Sequence, residues 1–184
     1  MSWTWIVFAV VLIAIFVWYL SSTAGRLDRL HRRIETSTFA LDAQLLRRSS
    51  IAIELSVAGI LDPSSSEIIA EIAHAARLSA DHDLEDRILA ESALTEVLIQ
   101  ALDDAEEVTL LREDDIVAEL LDELTAAIRR VELSRRFLND AVLACRQIRD
   151  HRLVRLFRLA GHTPLPNTWE MDDRAPVGLG YLGT

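Results

Sequence analysis

Residues 117–145 read VAELLDELTAAIRRVELSRRFLNDAVLAC. Val117, Leu121, Leu124, Ile128, Val131, Arg135, Leu138, Val142 and Cys145 follow one another in steps of four and three. Such steps return to one side of a helix every turn, so the stretch predicts a long helix with a coiled-coil-like apolar seam. Arg135 is the seam's one charged member. Residues 113–159 contain neither glycine nor proline, and the helix is expected to cover all of them. Gly161, Pro164 and Pro166 then end it. A helix of this length with one apolar stripe needs other helices to cover the stripe.

The chain N-terminal to it supplies them. Over residues 26–60, Leu27, Leu30, Ile34, Leu41, Leu45, Ile51 and Leu55 recur at helical spacing, and Asp62-Pro63 closes that segment. Ser64 and Glu67 predict a capping box for a short helix over 64–79, with Ile68, Ile69 and Ile72 on its apolar side. The run Asp81-His82-Asp83 predicts a turn. Glu85 and Asp86 suit the first turn of a third helix over 84–104. Asp103, Asp104, Glu106 and Glu107 predict an acidic loop. Six glycines, four prolines and no repeated strand-turn pattern exclude an all-β fold. The expectation is an all-α chain, with an antiparallel four-helix bundle over 26–160 whose first and last helices are long. An irregular tail, 161–184, holds three of the four prolines.

Residues 1–25 are of another kind. From Trp3 to Leu20 only Thr4 is neither apolar nor aromatic, and the first charged side chain is Arg26. Eighteen residues rise roughly 27 Å, about a hydrocarbon core. Trp3 and Trp5 mark one edge, Trp18 and Tyr19 the other, as interfacial aromatics do. Ser21 to Gly25 resemble a signal-peptide cleavage region, but no basic residue precedes the apolar run, which favours a retained transmembrane anchor. Arg26, Arg29, Arg32 and Arg33 follow it closely. Positive-inside then predicts a single-pass cell-membrane protein with its N-terminus outside and its helices in the cytoplasm. One cysteine, Cys145, permits no internal disulfide and suits a reducing compartment.

The net charge of −10 argues against a general nucleic-acid binder. All nineteen basic residues are arginine, which excludes a lysine Schiff base or P-loop lysine. The charge is unevenly spread: residues 61–125 hold three arginines and nineteen acids, residues 126–160 nine arginines and three acids. If the last helix returns toward the membrane, Arg152, Arg155 and Arg158 join Arg26, Arg29, Arg32 and Arg33 in a basic foot facing anionic lipid. Each such arginine contributes on the order of 1 kcal/mol. The acidic 103–115 stretch is expected at the far end.

Several residues have chemical potential beside an ordinary structural role. Glu67, Glu71 and His74 share a helix face, and Glu71 to His74 fits a Glu-x-x-His pattern. A di-iron bundle needs a second copy, which is missing, so a solvated face is expected. Asp81, His82 and Asp83 suit capping better than an ion. Cys145, on the seam, is expected to be a buried, inert thiol despite Arg146 and Arg149. Gln44, Arg48, Arg135 and Asn139 lie at or beside seam positions of the two long helices, either as a buried polar network or snorkelling to the bundle edge. Trp169 in the tail is expected to dock on the bundle. These residues offer no nucleotide loop, catalytic triad or complete metal set, and no cofactor is expected.

Three stretches together resemble the LemA family of membrane-anchored bacterial helical-bundle proteins. Asp42-Ala43-Gln44-Leu45-Leu46-Arg47-Arg48 is similar to the family's Asp-x-Gln-Leu-x-Arg-Arg run. Glu91-Ser92-Ala93-Leu94 resembles its Glu-Asn-Ala-Leu stretch. Arg135 to Val142 resembles its Arg-x-Tyr-Asn-x-x-Val run. Ile53-Glu54 replaces the family's proline-asparagine pair, and Cys145-Arg146 replaces its second tyrosine-asparagine, which makes this a divergent member. The resemblance implies an anchored cytoplasmic bundle and no defined chemistry. The function expected is a non-enzymatic scaffold or adaptor for protein partners or for further copies of itself. The alternatives are a transmembrane signalling coiled-coil module and a metal-dependent four-helix enzyme.

Overall fold

The computed structural model describes residues 2–157, 159, 161 and 164–180. Among them are six α-helices and no strand: α1 (Ser2–Val57), α2 (Pro63–Leu78), α3 (Leu84–Leu102), α4 (Ala105–Leu111), α5 (Asp115–Arg149) and α6 (Arg152–Leu156). Single 3-10 turns occupy Ser79–Asp81 and Val177–Leu179. The all-helical class is as expected. α1 passes through Gly25 without a break. Its first part is long and apolar enough to cross a membrane, and none of that apolar window is buried. Gly59, in the left-handed region at φ 70°, stops the chain from continuing the helix.

The structure corrects several boundaries. The cap of α2 is Asp62, not Ser64: its carboxylate accepts from the Ser64 and Ser65 amides at 3.0 and 3.1 Å, and Pro63, lacking an N–H, sits at the first helical position. Those bonds hold the Asp62 carboxyl below the usual range, Ser65 contributing most. A group with a depressed folded pKa stabilises above the unfolded pKa, near pH 4, and loses that contribution as the pH falls through the folded value. Asp62→Ala is therefore expected to melt earlier than the wild type at pH 7. In melting curves taken from pH 6 to pH 2, that difference should shrink below pH 4.

The acidic loop is also corrected. Residues 105–111 form α4, and the acids around it serve as caps. Asp104 accepts from the Glu106 and Glu107 amides at 2.8 and 3.2 Å, and Asp114 from the Ile116 amide at 2.9 Å. Finally, α5 stops at Arg149 rather than running to 159. Val154 lies nine residues beyond Cys145, which on a continuous helix is about half a turn away. The break at Asp150 and His151 brings Val154 (2% exposed) into one core with Leu27 and Cys145.

The chain divides into two compact units, 1–36 with 138–168 and 37–137 with 169–184, to each of which α1 and α5 contribute. The first holds the Leu27, Cys145 and Val154 core, edged by Leu30, Ile34, Ile148 and Leu159. In the second, Ile51 and Leu55 of α1, Ile69 and Ala73 of α2, Leu94 and Leu98 of α3, Val108 of α4 and Leu121 and Leu124 of α5 share a core with Leu179. A Cβ on Gly178 would meet the Leu102 carbonyl oxygen, with Val108 Cγ2 at 2.9 Å and the Asp104 carbonyl oxygen at 3.0 Å. Gly178→Ala should therefore cost about 2 kcal/mol by overpacking in chemical denaturation. An unchanged midpoint would show that the segment does not lie this close to α3 and α4.

Candidate functional site

The most developed polar site lies in the second unit, around Arg48. This side chain is 1% exposed, on the buried stripe of α1 with Leu41, Leu45 and Ala52. Its Nη2 donates to Glu91 Oε2 at 2.7 Å and to the Glu91 carbonyl at 3.0 Å, and its Nη1 to Thr95 Oγ1 at 2.9 Å. Glu91 (2%) and Thr95 (2%) belong to the apolar stripe of α3, beside Leu94, Leu98 and Leu102. A buried arginine with a carboxylate and two further acceptors is a well-compensated charge. Only its Nε lacks a hydrogen bond.

The C-terminal segment closes over this pair. Thr95 donates to the Asp172 carbonyl at 2.8 Å, and the Asp172 amide donates to Ser92 Oγ at 3.0 Å. Arg135 grips Asp173 with two bonds, at 2.6 and 3.0 Å. Further along, the Val177 amide donates to Asp103 Oδ1 at 2.8 Å. Trp169 is 6% exposed and lies under the Arg87 guanidinium, 5.1 Å from the ring centroid. Arg87 also pairs with Asp42 at 2.9 Å. A cleft of about 320 Å³ beside these groups is lined by Asp42, Ser49, Arg77, Asp81, Arg87 and Glu91 among others. Arg174 folds back on Asp172 and holds that carboxyl below the usual range.

Of the four residues proposed as a network, Gln44, Arg48 and Arg135 lie in this unit, and each of the two arginines bonds to an acid that spacing alone did not single out. Gln44 is half-buried, with no hydrogen bond of its own among the described residues. Asn139, also half-buried, falls in the other unit. The signal that could have found Glu91 is its place as the one acid on the apolar stripe of α3. Asp172 and Asp173 carried no periodic signal.

Glu67, Glu71, His74, Asp81, His82 and Asp83 are exposed. Among the described residues no three His, Cys, Asp or Glu side chains converge as metal ligands would. Cys145 is fully buried, and burial pushes its thiol pKa up against the opposing Arg149 charge. Trp3, Trp5, Trp18 and Tyr19 are exposed on α1, at 76%, 69%, 72% and 44%. Arg26, Arg29, Arg32, Arg33, Arg152 and Arg155 are exposed in the first unit, and Arg158 lies outside the described residues. Arg146 and Arg149 instead clasp the chain that follows, donating to the carbonyls of Pro166 at 2.8 Å and Pro164 at 3.0 Å. No family model matches the chain, and neither a curated protein nor a solved structure matches it.

Proposed function

We propose that this chain is a membrane-anchored scaffold or adaptor, a single-pass protein whose N-terminus lies outside and whose remaining helices meet partners in the cytoplasm. The observation that carries the reading is the apolar stretch of α1. None of its apolar window is buried, it is edged by Trp3, Trp5, Trp18 and Tyr19, and it belongs to the same helix as the core residues Ile51 and Leu55. A contiguous exposed apolar surface of that length is stable only in lipid or against another protein. The arginines immediately after it favour the inside orientation.

A scaffolding role is supported by what the second unit exposes. Phe39 (67%) and Leu46 (52%) lie two turns apart on α1, and Leu133 (41%) and Phe137 (56%) one turn apart on α5. Exposed aromatic and aliphatic pairs at helical spacing are the anchors that partner helices use. Arg48 and Glu91 bond to each other beneath the C-terminal segment, a role in holding that segment rather than in turnover. The resemblance of 42–48, 91–94 and 135–142 to LemA-type proteins supports the same bundle-like, anchored reading.

The test is purification of the intact chain in mild detergent, with and without Phe39→Asp and Phe137→Asp. A partner or second copy that co-purifies in fixed ratio, and is lost in the variants, is expected. A monodisperse, partner-free monomer that the variants leave unchanged would contradict the scaffold reading.

A further inference from the structure

The first unit carries a groove of about 360 Å³ lined by Arg26, Arg29, Leu30 and Arg33 of α1 and by Ala144, Gln147 and Ile148 of α5. We infer that this groove is a binding site for the phosphate head group of an anionic phospholipid, with Arg26 and Arg29 as its ligands and Arg33 adding to the groove's positive charge. The inference rests on the reading that the apolar part of α1 crosses a membrane.

The charge is one-sided by construction. At about 100° per residue, Arg26, Arg29 and Arg33 fall within roughly 60° of one another around α1, while Asp28 and Glu35 lie about 100° or more from them. Among the described residues no acid lines the groove. Among the described residues none of these three arginines makes an ion pair or a side-chain hydrogen bond, whereas Arg47, Arg48, Arg87, Arg112, Arg135 and Arg174 all pair with carboxylates. Three guanidinium groups sharing one groove repel each other unless an anion joins them, and their planar donor forks match phosphate oxygens. Leu30, Ala144 and Ile148 give the groove an apolar wall, suited to the glycerol and upper acyl carbons that follow a lipid phosphate.

Position selects a lipid over a soluble anion. Arg26 and Arg29 lie six and nine residues beyond Leu20, about 9 and 14 Å along the helix, while head-group layers occupy about 5–7 Å on each side of the hydrocarbon, so these two reach the phosphates by extending back toward the apolar segment and Arg33, about 20 Å along, adds its charge from the far side of the groove. Helix side chains lean toward the N-terminus, which on α1 is toward the apolar segment. The chain after α5 returns to the apolar segment itself. Phe157, just past α6, meets Phe16 edge-on at 5.4 Å between ring centroids, and Phe16 belongs to the apolar segment. Leu156 (73% exposed) lies beside it, flanked by the exposed Arg155. Basic and apolar side chains alternate here as they do at a lipid head-group boundary.

The experiment uses the full chain in non-ionic detergent. Native mass spectrometry counts bound phosphatidylglycerol and phosphatidylcholine of identical acyl chains. One phosphatidylglycerol per chain is expected, held at least tenfold more tightly than phosphatidylcholine. Each arginine removed should weaken it about fivefold, so Arg26→Gln with Arg29→Gln and Arg33→Gln should lose about a hundredfold. Glutamine keeps helix propensity close to that of arginine. Should the triple variant lose its helical circular dichroism, Gln147→Glu sets a carboxylate in the groove and should still weaken phosphatidylglycerol. Equal binding of the two lipids, or unchanged binding in a folded triple variant or in Gln147→Glu, overturns the site. Displacement of the lipid by millimolar inorganic phosphate overturns the lipid as ligand and makes this a soluble-anion site. Alkaline carbonate extraction separates the premise from the site. A chain that stays in the membrane but binds without selectivity overturns the groove alone, and a chain released by carbonate overturns the membrane reading and the lipid site with it.

Discussion

Glu91→Ala should lower the thermal midpoint on the order of 10 °C and cost about 3–5 kcal/mol in chemical denaturation. Arg48 is 1% exposed, and its counter-charge, Glu91 Oε2, lies 2.7 Å away. Removing the carboxylate leaves a guanidinium in the core with Thr95 and one carbonyl as its remaining acceptors, and an uncompensated buried charge costs about that much. The size of the effect does not measure what the pair contributes. Both ions lost their hydration on folding, and their attraction largely offsets that loss. Arg48→Met combined with Glu91→Leu should therefore recover most of the stability, to within about 1–2 kcal/mol of the wild type. A double variant as unstable as Glu91→Ala would show that the hydrogen bonds to Thr95 and to the Glu91 carbonyl, rather than the charge pair, hold this part of the core.

Trp169→Ala should be the second large effect, about 3–4 kcal/mol. A buried tryptophan replaced by alanine loses its transfer free energy and leaves a cavity. It also strips the π-face from Arg87, a contact of about 1 kcal/mol when partly desolvated. Trp169→Phe should restore more than half, because it refills the space and keeps a weaker face for the cation. Trp3→Ala, at a position 76% exposed, should leave urea unfolding of the helical core unchanged. If Trp169→Ala costs under 1 kcal/mol, the C-terminal segment is not part of the folded core. Arg135→Leu discriminates further. It removes the bidentate hold on Asp173 and should destabilise, whereas an arginine that merely reached solvent would leave the midpoint unchanged or raised.

Much of this architecture is written in local spacing. The four-and-three steps from Val117 to Cys145 became a buried stripe, with Leu121, Leu124 and Val131 at 0% exposure, because a seam of that period has one buried side whatever its neighbours are. The apolar segment of α1 was equally plain from length and composition. What eluded local reading depended on distance or on ambiguous residues. The stop at Arg149 has no glycine or proline to mark it. It exists because Val154 must turn toward Leu27, a contact more than a hundred residues away in sequence. Asp104 and Asp114 stand in a run of acids that reads as a solvated loop, yet each is an N-cap, and a capping carboxylate looks like any other until the helix behind it is seen. Arg48 announced a need for a counter-ion without naming it. Glu91 and Thr95 come from another helix, and Asp172 and Asp173 from a segment with no periodicity to read.

In the proposed arrangement α1 anchors the protein in a membrane with its arginine-bearing end inside. Sealed membrane vesicles of both orientations, from cells making the full chain, test it most directly when treated with protease and then with alkaline carbonate. The chain is expected to stay in the membrane fraction at alkaline pH, with residues 37–137 cut only in inside-out vesicles. Release of the intact chain by carbonate, or digestion of those residues in right-side-out vesicles, would contradict it.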